Sequence, residues 1–445
     1  MTLSRILIIS TLATLIGACT QDDKPAPSTI ETTTALNTPA NSSTAKTAVS
    51  SASSDKACQA ELSWITDPNP PTEIPGGGTN FCQFYQFSWQ WFFYLMSPSQ
   101  SDPSLRNFQM VADYPVLEID GNSCSNPSSE PVFFVRTVKD QAADTSFTLP
   151  ERIGQAGGGA TIYDQNSNVV FYSISFSRSL CDATATGDLP ADTTELKLAW
   201  RVIDDSLKNE YFWIEADVIP EQGAPIGETL GLIGVHLVRG TPEHRELVWA
   251  SFEHKNNAPN CQSPAQAPAE GWSFLSASCQ SCLESPTSAC LESCSYNQAT
   301  KASSLTGTAS EICRVFPEGT APGDHKGEEN IVDVQSLNNQ IQSLLNKSSV
   351  PSTMSVWRHY FNIGALWVSD PSKPSTTDNQ RGSMQLANPV METTFQGSLS
   401  VNNGQIDTST SGVLNCFVCH GYTPGKTATT GLSHIFDDIQ EQQGK

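Results

Sequence analysis

Basic residues are scarce in this chain of 445: 24 Lys and Arg stand against 46 Asp and Glu, a formal net charge of −22. A balance this acidic argues against a nucleic-acid-binding protein and against direct docking on anionic lipid. Long hydrophobic runs are missing too. The apolar stretch Ile6 to Ile16 is too short for a stable bilayer span, which takes about 20 residues. No G-x-S-x-G, H-E-x-x-H, Walker or G-x-G-x-x-G pattern occurs, so the common hydrolase, metalloprotease and nucleotide signatures are absent. The glycine triplets at 76–78 and 157–159 have neither the lysine nor the strand–helix setting of a phosphate loop. No internal repeat is apparent, and no methionine lies between Gly421 and Lys445.

What is there begins with a leader. Arg5, the apolar run and then Ile16-Gly17-Ala18-Cys19 read as a secretory signal over residues 1–18. Small residues before a cysteine resemble the lipobox of bacterial lipoproteins, which implies lipidation of Cys19. Thr20 stands where such proteins carry an aspartate when they are kept at the inner membrane. The resemblance therefore implies an outer-membrane anchor, with the protein facing the periplasm or the cell surface. Several acyl chains on one cysteine hold a protein to a membrane without a transmembrane helix. Residues 19–57 are the lipidated cysteine and a Thr-, Ser-, Ala- and Pro-rich linker that cannot bury enough surface to fold. As a flexible coil the linker spans on the order of 35 Å.

Residues 58–445 are long enough for a large core and are read as one unit. Beyond Cys19 and the pair Cys416 and Cys419, ten cysteines remain, an even number in an exported chain. Structural disulfides follow from that, with connectivity left open. Phe84 to Met96 is an aromatic helix stopped by Ser97-Pro98. The segments 169–176, 195–202, 211–218, 229–238 and 246–252 carry the β-branched and aromatic residues of strands, with a hairpin turn at Thr241-Pro-Glu-His. That places His236 and His254 on or beside neighbouring strands. The cysteine-rich stretch 261–313 reads as irregular. Asp333 to Asn346 has apolar residues at helical spacing, with Asp333 as its cap.

The chemistry is concentrated in Asn415-Cys416-Phe-Val-Cys419-His420-Gly421. C-x-x-C-H is the attachment signature of c-type haem. Two thiols add to the two porphyrin vinyl groups, and the two-residue gap lets one turn of chain reach both. The next residue, His420, then faces the iron as proximal ligand. A thioredoxin-type C-x-x-C would need a βαβ setting, and none is seen around 395–445. Cys279-Gln-Ser-Cys282 is followed by Leu283, so it is not a second haem site. With no methionine downstream, the distal candidate is His434, thirteen residues beyond His420. At ~3.3 Å per residue that length can cross to the other face of the group. His254 is a weaker candidate, and His236, His359 and Met391 are remoter ones.

Several stretches together resemble a family of secreted bacterial mono-haem c-type cytochrome-like proteins without an assigned reaction. They are Phe87 to Leu95, Gly231 to Leu237, Trp249 to His254 with Asn257-Ala-Pro259, Ser355 to Tyr360, Leu386-Ala-Asn388 with Glu392-Thr393, and C-F-V-C-H. Met96-Ser97-Pro98 departs from the Asn-Trp-Pro that the family often shows. The resemblance implies haem and export, and no substrate.

The expected fold is α+β: a large antiparallel β-rich body, disulfide-stapled, with a short C-terminal helical haem segment over about 386–445. Only 25 residues follow His420, too few for an independent cytochrome fold, so the haem borrows its pocket from the body. The expected function is electron transfer through one covalent haem c in a lipid-anchored protein, with a redox partner that presents a basic docking face. One alternative is a haem enzyme or sensor with an open sixth coordination position for peroxide or another small ligand. The other is a disulfide-rich binding module with structural haem.

Overall fold

The computed structural model describes residues 58–117, 123–125, 133–135, 160–183, 188–220, 226–298, 300–301, 307–320, 328–397, 399–408, 415–425 and 431–444. The leader, Cys19 and the linker up to residue 57 lie outside the described residues. Among the described residues no helix is long and apolar enough to cross a membrane.

Eight strands form the central sheet. They are β1 (Phe133–Val135), β2 (Phe171–Phe176), β3 (Thr194–Val202), β4 (Trp213–Pro220), β5 (Ile226–Arg239), β6 (Val248–His254), β7 (Tyr360–Val368) and β8 (Gln380–Gly382). All pairings are antiparallel except β1 with β4. The long strand β5 organises them. One edge pairs with β3; the other pairs with β4 along its first half and with β6 along its second. From there the sheet runs through β7 to β8. The five segments expected as strands are strands, within two or three residues at most ends. β7 is a further one, in an aromatic stretch whose sequence left helix and strand undecided.

Two helices cover the upper face. α1 (Phe81–Met96) begins at a capping box in which Asn80 accepts from the Gln83 amide, and it stops at Ser97 before Pro98. Its aromatic rings lie on the sheet: Phe92 stacks on Phe252 at 4.2 Å, and Phe84 stacks on Trp367 at 4.0 Å. The long helix over Glu328–Leu345 buries Val334, Leu337, Ile341 and Leu345, the spacing read from the sequence. It starts earlier than expected, so Asp333 is an interior residue and not the cap. Helix and sheet together with the sheet-rich body give the α+β class that the sequence implied.

Five disulfides join the ten remaining cysteines: Cys58–Cys82, Cys124–Cys181, Cys261–Cys313, Cys279–Cys294 and Cys282–Cys290. The last two rivet a pair of short helices, Ala277–Glu284 and Ser288–Cys294, to one another. This corrects the expectation of irregular chain there. Ser276 and Thr287 each cap one of these helices with a side-chain oxygen, a local signal that the density of cysteines obscured.

The lower face carries the C-terminal segment, and strand alternation decides what meets it. Leu196 and Leu198 of β3, Val235 and Leu237 of β5, and Ala250 and Phe252 of β6 point up into the helix-covered core. The alternate residues point down. Register lines these up in two rows across the strands. One is Glu195–Val238–Trp249–Leu366, and the next is Lys197–His236–Ser251–Gly364. Two residues along a strand separate the rows, about 7 Å.

Candidate functional site

Cys416–Cys419 is a single helical turn. Asn415 caps it: its Oδ1 accepts from the Phe417 amide at 3.1 Å. The Asn415 amide group also donates to Gln380 Oε1 at 2.9 Å and to the Met384 carbonyl at 3.0 Å, which moors the turn to the edge of the sheet. Phe417 is buried and packs edge-on to Trp249, with ring centroids 6.1 Å apart. Val418 is 56% exposed. Cys416 is a free thiol, partly exposed, and burial together with the Glu392 carboxylate pushes its pKa up.

His420 follows the turn and its ring lies 4.5 Å from Trp249. Its Nδ1 is 3.1 Å from the Leu432 carbonyl oxygen. A carbonyl can only accept, so Nδ1 carries the proton and Nε2 keeps its lone pair. Burial, with His434 nearby, lowers the ring's pKa to about 3. The neutral imidazole is the form that binds a metal.

The Leu432 carbonyl is itself held in place. Ser433 caps the helix His434–Gln442 by accepting from the Phe436 amide at 3.0 Å, and its hydroxyl donates to Glu195 on β3. Glu195 is buried, and burial raises its carboxyl to about 7 against the Ser433 hydrogen bond, with Asp437 and Asp438 adding to the rise. Phe436 and Ile439 bury the underside of the same helix. The sheet's first row thus grips both halves of the segment: Trp249 under His420, and Glu195 under Ser433.

The second row is polar. His236 Nε2 lies 2.8 Å from Glu392 Oε1. The other carboxylate oxygen of Glu392 accepts from the Asn388 amide at 2.9 Å. Asn388 donates in turn to Ser251 Oγ and the Phe252 carbonyl. The loop carrying these residues rests on Gly234, where a Cβ would come within 3.0 Å of Val390 and 3.3 Å of Asn388. Burial would raise Glu392, but His236, Lys197 and the Asn388 amide outweigh it and hold the carboxyl at about 2. Burial draws Lys197 down, with Glu392 opposing. His236 and Glu392 keep 12% and 25% of their side chains exposed, and Lys197, Cys416 and His420 are also partly exposed. These groups thus keep some accessible surface on the lower face of the sheet.

The donor set suits covalent haem. Two cysteines lie one helical turn apart, Cys416 as a free thiol and Cys419 in a disulfide that must open before it could add to a vinyl group, an imidazole with its Nε2 lone pair free follows at once, and partly exposed polar groups adjoin them. When bound, the group supplies an iron that changes oxidation state by one electron.

The sequence candidates separate in space. Cys416, Cys419 and His420 share one turn and its end. His434 is exposed at the start of its helix, and its ring centroid is 4.5 Å from that of His420. His236 is on the lower face, one row away. His254 is not brought to the site. It is fully buried on the opposite face, stacked on Tyr211 at 3.8 Å. Both its ring nitrogens are engaged, by the Glu210 carbonyl and the Asn256 amide. His359 lies beside it, 6.0 Å ring to ring. Met391 is buried beneath the Asn388–Glu392 loop, against Gly234. The reading of sequence missed Glu195, Lys197, Trp249 and Ser433. In sequence, Glu195 and Lys197 are simply alternate residues of an expected strand, and only the packing of the C-terminal segment against Glu195 marks them.

No family model, no curated protein and no solved structure matches this chain.

Proposed function

We propose that this is a mono-haem c-type cytochrome that transfers electrons, with haem attached at Cys416 and Cys419 and His420 as proximal ligand. The hydrogen bond from His420 Nδ1 to the Leu432 carbonyl carries the reading. It fixes the tautomer and orientation in the way second-shell partners of metal-bound histidines do. His434 is the distal candidate, supported by its position against His420. Both imidazoles can serve only if the two rings part to admit the macrocycle, so the helix His434–Gln442 must shift relative to the C-x-x-C-H turn. Export and a lipid anchor at Cys19 rest on the leader sequence, and the acidic balance favours a partner with a basic face.

A second reading is favoured by one observation. The row Lys197–His236, with Glu392, holds partly buried acid–base groups near the C-x-x-C-H turn, which an enzyme or sensor with an open sixth position would use.

Co-expression with a cytochrome c maturation system should give a red protein that keeps its haem in denaturing gels. Replacing both Cys416 and Cys419 with alanine should leave it colourless. Spectra with and without carbon monoxide divide the two readings. Low-spin haem that becomes high-spin and binds carbon monoxide in His434→Ala supports the carrier. A wild type that already binds carbon monoxide readily supports the enzyme or sensor, and a colourless wild type would falsify both.

A further inference from the structure

Among the described residues, Lys197 is anomalous. Its side chain points from the middle of β3 onto the lower face, and its ammonium has no hydrogen bond and no ion pair among the described residues. Lys208 and Lys373, by contrast, are each paired with carboxylates at the surface. Glu392 bears on Lys197 electrostatically but has both oxygens committed, to His236 and to the Asn388 amide. The Tyr172 ring, 5.9 Å away, offers only its face. A partly buried ammonium with three donors and no acceptor is costly unless an anion completes it.

Its position says which anion. Lys197 stands one row, about 7 Å, from the row on which Ser433 and His420 rest. It also bears electrostatically on His420. A haem held at Cys416 and His420 would bring two propionate carboxylates with it, the negative charges that could reach this face of the sheet. We propose that Lys197 is the counter-ion of a haem propionate, so that its unmet donors are completed when the haem is attached. This rests on the haem reading above.

The test uses the covalently loaded protein, with haem content on a denaturing gel checked first. The midpoint potential of wild type, Lys197→Met and Lys197→Arg is then measured from pH 5 to pH 9. Loss of the cation should favour the ferric state about tenfold in Lys197→Met, a fall of ~59 mV for one electron. It should also introduce a decline of potential with pH, as an unpaired propionate ionises within the range. Lys197→Arg should stay near wild type. Red Lys197→Met protein with an unmoved potential and pH profile would overturn the proposal while leaving the haem reading intact. So would a formate titration that shifts the wild-type spectrum but not that of Lys197→Met, with the potential–pH profile unchanged, because the lysine would then serve a free anion. A colourless wild type would sink the haem reading itself, and this proposal with it.

Discussion

Glu195 shows how one residue can look ordinary in sequence and be decisive in place. In its strand it alternates with leucines, as a surface glutamate does. In the fold it is 4% exposed and accepts from the serine that caps the C-terminal helix. Its carboxyl is raised from 4.5 to about 7, so the folded chain binds this proton more tightly than the unfolded chain. Its contribution to stability is therefore full below about pH 4.5, declines as pH rises toward 7, and is level above. The rise from 4.5 to about 7 corresponds to roughly 3 kcal/mol. Glu195→Gln keeps an acceptor for Ser433 and removes the charge. Urea denaturation at pH 5 and pH 8 should show a smaller loss of stability at the higher pH than in wild type. An equal loss in both proteins would mean that Glu195 does not titrate there.

At the scale of elements, the segment from Gly431 to Gln442 is a strap more than a helix in its own right. It is nine helical residues long, too short to be stable alone, and it depends on its cap and on Phe436 and Ile439. Ser433→Ala removes both the cap and the link to Glu195. It should cost about 1–2 kcal/mol by thermal or urea denaturation. It should also loosen the Leu432 carbonyl from His420, raising the amide exchange rates of residues 434–437. Unchanged exchange in that turn would remove Ser433 from its anchoring role. The C-x-x-C-H turn was legible from spacing alone, because three side chains within five residues need no tertiary information. The partner of His420 Nδ1 was not, because it comes from a residue twelve positions later that only the fold brings back.

The whole molecule is a sheet with two unlike faces, stapled at its margins. Covalent closure should matter most for the two longest loops, closed by Cys124–Cys181 over 57 residues and by Cys261–Cys313. Cys261–Cys313 closes a separation of 52 residues, for which loop entropy gives about 4 kcal/mol. Replacing both with serine should lower stability by roughly that amount, measured by guanidinium unfolding, while the other four bridges remain in a non-reducing peptide map. Free thiols at Cys279 or Cys282 in wild type would contradict the riveted helix pair.

Sequence by itself determined the elements whose signals are local. Aromatic and β-branched runs made strands, Ser97-Pro98 ended α1, and C-x-x-C-H marked a single helical turn, while the start of α1 at Asn80 came from the structure. An even set of ten cysteines implied bridges, but pairing depends on which loops meet, and that is not written in spacing. The tertiary structure decided the rest through a period of two. One step along β6 moves a side chain from one face to the other. His254 is therefore sealed among aromatics, while Trp249 lies under His420. The same alternation put Glu195 and Lys197 on the face that carries the C-terminal segment, where Glu195 is buried under Ser433 and Lys197 stays half-buried.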